Sequence, residues 1–247
     1  MSILDEITAE VTSDPESIGL ILHGSRAAGV HGPESDYDLV LLVTDASYAA
    51  RLERGELRDK RPGDPGADVV YASPERLRLH GEATDGYTPM FVTAQVVADT
   101  DGEVAALVEA IVANAGKRAR EELDELYDDY LNTFVRSLKA WRRGDELGGR
   151  MQAAHSCLSL VRLLFAAEQR LPPYHDQLRG PLRELEQTQG WDEGYLGSAL
   201  TRALDTGDPS FQQQLELRVE AFMESRGIGH QWGPEDDLAP VKAHRFR

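Results

Sequence analysis

Leu20-Ile21-Leu22-His23-Gly24-Ser25-Arg26 is followed, after a short loop, by Ser35-Asp36-Tyr37-Asp38-Leu39-Val40-Leu41-Leu42-Val43. The first stretch is an apolar run that breaks at Gly-Ser, the pattern of a buried strand entering a tight turn. A glycine there lets the chain turn sharply and lets backbone N–H groups approach an anion. Ser25 and Arg26 add a hydroxyl and a guanidinium, both suited to phosphate oxygens. The second stretch is a strand with aspartates at i and i+2, positions that share a face, so Asp36 and Asp38 are directed to one spot. Two hard oxygen ligands beside a phosphate cradle are what a magnesium–triphosphate complex needs. Gly-Ser turns and Asp-x-Asp pairs are each common alone; it is their joint occurrence in a strand–turn–strand context that points to phosphate and metal.

Gly24-Ser25, the loop, and Asp36-x-Asp38 leading into an apolar strand resemble the signature of the DNA polymerase β-like nucleotidyltransferase superfamily. Gly-Ser-Arg-Ala-x-Gly ahead of Ser-Asp-x-Asp is most similar to its small bacterial members, the aminoglycoside nucleotidyltransferases and the minimal nucleotidyltransferases that pair with helical HEPN partners. The motif spans residues 20–43. The resemblance implies that Asp36 and Asp38 hold one or two Mg²⁺. It also implies that Gly24, Ser25 and Arg26 bind the phosphates of ATP or another nucleoside triphosphate. A third acid is expected on the following strand, and Asp68, opening Ala67-Asp68-Val69-Val70-Tyr71, stands there as metal ligand, base or both. Burying it would be costly without a partner such as a metal, unless it faces water at the strand edge.

Lys and Arg total 26 against 43 Asp and Glu, for a formal net charge of −17. That balance argues against a sequence-independent nucleic-acid binder, which needs a basic footprint, and it suits a cationic small molecule. Acidity that serves only solubility is the plainer alternative. The one cysteine, Cys157, excludes an intramolecular disulfide and suits a reducing cytoplasm. No stretch approaches the ~20 apolar residues of a membrane span, and the acidic N-terminus does not read as a signal peptide.

Along the chain, Ile3, Leu4, Ile7 and Val11 suit an amphipathic helix within 1–16. A helix is expected over 45–55, a polar Pro/Gly loop over 58–66, and a capped helix from Ser73-Pro74. A fourth strand is expected over 90–98, with a helix from there to Gly116. Beyond it the pattern is helical, in five stripes. The first runs from Leu123 to Trp141 and turns at Gly144 and Gly148-Gly149; the last runs from Phe211 to Met223. The tail from Gly227 has no periodicity. The fold class is therefore α+β: a small mixed-sheet nucleotidyltransferase domain over 1–117, then an antiparallel helical bundle over 118–247.

The expected activity is Mg²⁺-dependent transfer of a nucleoside monophosphate, from ATP above other triphosphates, to a hydroxyl of a small cationic acceptor such as an aminoglycoside-type antibiotic. Asp68, Glu82, Asp85 and the acidic run 121–129 are candidate acceptor contacts. Two alternatives stand beside this. One is an antitoxin-like enzyme that adenylylates a protein; the other is a degenerate fold that only binds nucleotide. His23 and His31 are secondary candidates near the phosphates. Arg150 and His155 match the permissive spacing of the HEPN ribonuclease motif, but on a core-facing helix.

Overall fold

In the computed structural model, which describes residues 2–83, 85–233 and 236–246, the chain opens with helix α1 (Ile3–Ser13). Ser2 and Asp5 cap it reciprocally: the Ser2 hydroxyl accepts from the Asp5 N–H, and the Asp5 carboxylate accepts from the Ser2 N–H. Strand β1 (Ser17–His23) follows, then a single helical turn α2 (Gly24–Ala27), strand β2 (Tyr37–Val43) and helix α3 (Asp45–Arg54). Strands β3 (Arg58–Arg61) and β4 (Ala67–Ala72), helix α4 (Pro74–Glu82), strand β5 (Gln95–Asp99) and helix α5 (Glu103–Glu121) complete this part of the chain.

The strands form one mixed sheet in the order β3-β4-β2-β1-β5, in which β2 and β4 run parallel and the other neighbours antiparallel. Leu20, Leu22, Leu39 and Leu41 point to the face covered by Ile7 and Val11 of α1. Ile21, Val40 and Leu42 point the other way, onto Leu77 of α4 and Val104, Val108 and Ile111 of α5. Burial on both faces explains why β1 and β2 read as unbroken apolar runs rather than alternating ones. Each such side chain contributes roughly 1.5–3 kcal/mol by leaving water. The pairings of β2 with β1 and β4 give its register, and with it the direction of the aspartates at its start.

Three expectations need correction here. The polar stretch 58–66 is a loop only in part, because Arg58–Arg61 pairs with β4 as an edge strand. Residues 88–92 form a 3₁₀ turn, so the fifth strand begins later, at Gln95. Gly116 does not end a helix: it is buried within α5, which continues to Glu121. The start of α5 is fixed by Asp99, whose carboxylate accepts from the N–H groups of Val104 and Ala105 at 3.3 and 2.9 Å.

The remaining elements are helices: α6 (Leu123–Arg142), α7 (Glu146–Ala167), α8 (Arg179–Gln189), α9 (Tyr195–Thr206), α10 (Pro209–Ser225) and α11 (Leu238–Ala243). The turn between α6 and α7 lies at Gly144, whose φ of 77° is left-handed. Gly148 and Gly149 instead lie inside α7. Gly149 is needed there because a Cβ would come within 2.5 Å of the Trp141 indole nitrogen. The buried Glu186 of α8 accepts from the N–H groups of Gly194 and Leu196 at 2.8 and 2.7 Å, tying α8 to the start of α9.

Part of the tail also packs on the helices. Leu238 and Val241 of α11 are buried, and the Gln213 amide donates to the carbonyls of Val241, Lys242 and His244. Six residues are too few to show a periodicity, which is why α11 was not expected. Pro234 and Glu235 of the tail lie outside the described residues.

The chain groups into two compact units, Met1–Lys117 with Leu171–Leu178, and Arg118–Arg170 with Arg179–Arg247. Residues 171–178 are held in the first unit by two bonds. Thr93 Oγ1 donates to Gln177 Oε1 at 2.9 Å, and Tyr174 Oη donates to the Gly86 carbonyl at 3.0 Å. Among the described residues no helix is long and apolar enough to cross a membrane.

Candidate active site

Three strand pairings build the site. His23 of β1 lies opposite Asp38 of β2, Asp38 lies beside Asp68 of β4, and Asp68 lies opposite Lys60 of β3. Cross-strand partners project to the same face of a sheet, so His23, Asp38, Asp68 and Lys60 form one row across four strands. Asp36 precedes β2 by one residue and is exposed; Asp38 and Asp68 are half-buried.

Two glycines let backbone close on the carboxylates. Gly24 has a left-handed φ of 73°, and a Cβ at that position would run into the Asp38 carboxylate. A Cβ on Gly66 would lie 2.9 Å from the Arg61 carbonyl and 3.3 Å from Asp36 Oδ1. Gly24→Ala therefore meets both backbone strain and a collision. It is expected to lower turnover on the order of a hundredfold by displacing the Asp38 carboxylate, a misplacement of the kind that costs such factors. Steady-state rates beside a thermal unfolding curve check this; an alanine variant with near wild-type turnover would show that Asp38 tolerates the shift.

The charges in the row act on one another. Burial pushes the Asp38 carboxyl above its ordinary value; the charges of Asp68 and Asp36 push the same way, while His23 and Arg58 oppose them. Burial lowers the His23 imidazole, against the pull of Asp38 and Asp68, and so favours its neutral form. Asp68 is held below its usual value first by hydrogen bonds from Arg58. Arg58 Nε donates to Asp68 Oδ1 at 2.7 Å, and an Arg58 terminal nitrogen contacts Asp68 Oδ2, a fork-to-fork pair.

Of the residues expected from sequence, Asp36, Asp38 and Asp68 thus come together on one face. Gly24 and Ser25 form the turn at the end of β1, next to Asp38. Arg26 has a structural partner: its Nε donates to the Ser35 carbonyl at 2.8 Å, and its guanidinium lies 4.2 Å over the Tyr37 ring. It braces the loop that delivers Asp36.

Sequence reasoning missed Arg58 and Lys60, which share the carboxylate face one strand further out. The signal was their i, i+2 spacing, masked because an exposed edge strand needs no apolar residues.

Several other candidates are committed elsewhere. Asp85 accepts from the N–H groups of Tyr87 and Thr88 and bonds His80 Nδ1 at 2.8 Å, so it organises its own loop. In the acidic run, Asp128 accepts from the Gln231 N–H, and Asp129 from the Ser159 hydroxyl at 2.6 Å. Asp124 and Glu125 remain exposed. Arg150 pairs with Glu146 and donates to the Asp205 carbonyl. Cys157 is buried, and burial pushes its thiol up to about 11, the state of an inert core residue.

Residues 4–76 match the family described as the nucleotidyltransferase domain, a span that contains β1, the Gly24 turn, β2, β4 and all three aspartates. This part of the chain is thus similar to nucleotidyltransferase domains, consistent with the resemblance carried by its 20–43 motif. Among solved structures, a nucleotidyltransferase-like protein from Exiguobacterium sibiricum 255-15 is similar. It is 15% identical, with 96% of this chain and 85% of that one covered and a TM-score of 0.38. No curated protein matches the chain.

A domain of this family works with a nucleoside triphosphate and a divalent metal. Asp36 and Asp38 fit a hard cation: both are carboxylates on one face, close enough for one to perturb the other. Asp68, as it stands, does not complete the set, since both its oxygens are turned to Arg58. No group of three His, Cys, Asp or Glu side chains disposed to hold a metal ion occurs among the described residues.

Proposed function

We propose that this protein is a Mg²⁺-dependent nucleotidyltransferase that moves a nucleoside monophosphate from ATP to a hydroxyl of a small, cationic acceptor. The observation that carries this reading is the row His23–Asp38–Asp68 beside the Gly24 turn, inside a nucleotidyltransferase domain. In such a transfer the acceptor hydroxyl attacks the α-phosphorus and pyrophosphate leaves, so positioning and positive charge supply most of the catalysis. Asp36 and Asp38 would hold the metal, which when bound neutralises phosphate charge and makes the hydroxyl more acidic.

The chain's own groups do the rest. Gly24 and Ser25 seat the β- and γ-phosphates against a turn too tight for a side chain. Arg26 keeps the 28–36 loop in place and adds positive charge beside it. His23, kept neutral by burial, can take a proton near the carboxylates without adding a competing cation. Residues 1–117, with 171–178, serve as the catalytic domain, and 118–170 with 179–247 as the acceptor-binding domain. A formal net charge of −17 draws a cationic acceptor and does not suit nucleic acid. The single buried thiol suits the reducing cytoplasm.

The test is a labelling assay with each of the four triphosphates, α-labelled, with and without Mg²⁺, against a panel of polyamine and aminoglycoside acceptors. Mg²⁺-dependent pyrophosphate release with label on a small acceptor is the expected result. The acceptor's KM should rise with salt, since exposed charges are screened beyond a Debye length of ~8 Å at physiological ionic strength. Label recovered only on protein would replace the acceptor assignment. No pyrophosphate release from any triphosphate would remove the enzymatic reading.

A further inference from the structure

Arg58 is not part of the family motif, yet it is the residue that decides what Asp68 can do. It stands on the short edge strand β3, on the same face as Lys60, Asp68 and Asp38. Its guanidinium engages both oxygens of Asp68 at once. A carboxylate gripped by a planar fork has its favoured lone pairs filled, and the guanidinium adds a positive charge where a dication would have to approach. The two partners differ in one respect that matters. The Asp68 side chain is 17% exposed and fixed in the sheet, whereas the Arg58 side chain is 60% exposed. With one partner so exposed, the pair can open by swinging the Arg58 side chain into water, while Asp68 stays in place.

Resting on the reading of Asp36 and Asp38 as cation ligands, we propose that Arg58 is a positioning residue that holds Asp68 out of the metal site in the nucleotide-free protein. Metal alone then meets two carboxylates and a neighbouring guanidinium, and binds weakly. A triphosphate offers the guanidinium replacement oxygens, which frees Asp68 to join the site. Metal and nucleotide therefore bind with positive coupling, through one swap of partners. Lys60, opposite Asp68, adds a second cation on that edge to receive phosphate charge.

The experiment measures Mn²⁺ binding to the full chain without nucleotide, by loss of the free Mn²⁺ paramagnetic signal. Arg58→Gln should bind Mn²⁺ about tenfold more tightly than the wild type, the scale of one charge-assisted pair. Arg58→Lys, which keeps the charge but loses the fork, should fall between them. Asp68→Asn should stay within about twofold of the wild type, because an Asp68 already held by Arg58 has little metal affinity to lose. Wild-type or weaker binding by Arg58→Gln, or a tenfold loss in Asp68→Asn, would overturn the proposal. Asp38→Asn distinguishes the two levels of the argument. If it abolishes Mn²⁺ binding while Arg58→Gln changes nothing, the cation site stands and the role of Arg58 falls. If it leaves binding intact, the cation assignment itself fails and the proposal fails with it.

Discussion

Asp38→Asn is expected to reduce nucleotidyl transfer on the order of a thousandfold while the protein stays folded, the scale at which single preorganised charge-stabilising groups act. Asp38 stands at the middle of the row of charged side chains. It lies opposite His23, beside Asp68, and against the Gly24 turn. Burial and two neighbouring carboxylates already disfavour its charge. Its ionised form is therefore maintained at a cost in stability, which is characteristic of a residue placed for chemistry rather than packing. Asparagine keeps the shape and removes that charge, so the melting temperature should hold or rise as activity disappears. Asp36→Asn should lose activity similarly, with less effect on stability because Asp36 is exposed. Initial rates of pyrophosphate release and thermal unfolding measured on the same samples check this. Turnover above about a tenth of wild type in either variant would remove that aspartate from the metal site.

Glu216→Gln should flatten the pH dependence of stability. Glu216 is fully buried on α10, where the Tyr130 phenol and the Lys242 ammonium are the groups that favour its charge against burial. The nearest cation is Lys242 Nζ, 3.6 Å away, and that ammonium is closer to Glu220, at 2.7 Å. Burial pushes the carboxyl up from 4.5 to about 7, with Lys242 opposing it. The folded chain therefore keeps a proton that the unfolded chain has already released over this range. Stability falls as pH rises from about 4.5 through about 7, and levels off above that. The loss amounts to roughly 3 kcal/mol over the window. Glutamine cannot ionise, so the variant should be more stable than the wild type at pH 8 and show no such decline. Urea unfolding at several pH values measures it; parallel curves for the two proteins would show that Glu216 does not titrate in this range.

Sequence and structure meet most closely where burial is strongest. The runs around Leu20–Leu22 and Leu39–Val43 could hardly be anything but central strands, and their period fixes the side of the sheet on which Asp38 projects. The stripe from Leu123 to Leu138 likewise becomes the buried face of α6. Legibility failed where tertiary pairing rather than composition defines the element. Arg58–Arg61 is made a strand by β4, not by its own residues, so the partner of Asp68 was hidden in what read as a loop. Residues 88–92 are apolar enough for a strand, but a 3₁₀ turn precedes β5 there. Asp85 shows the reverse error: an acidic residue that looks available to a ligand is used up by the turn it caps.

The excursion of residues 171–178 bears on how this protein could have arisen and how it can be engineered. The chain leaves the first unit after Lys117, returns to it at Leu171 and departs again after Leu178. A gene for the sheet-bearing unit cannot be excised as one uninterrupted cassette, because a cut at 117 discards the segment that supplies Gln177 to Thr93 and Tyr174 to Gly86. Swapping in a foreign helical half would replace part of the sheet unit's own wall. Chimeras that graft 171–178 along with residues 1–117 should therefore tolerate recombination better than those joined at a single seam.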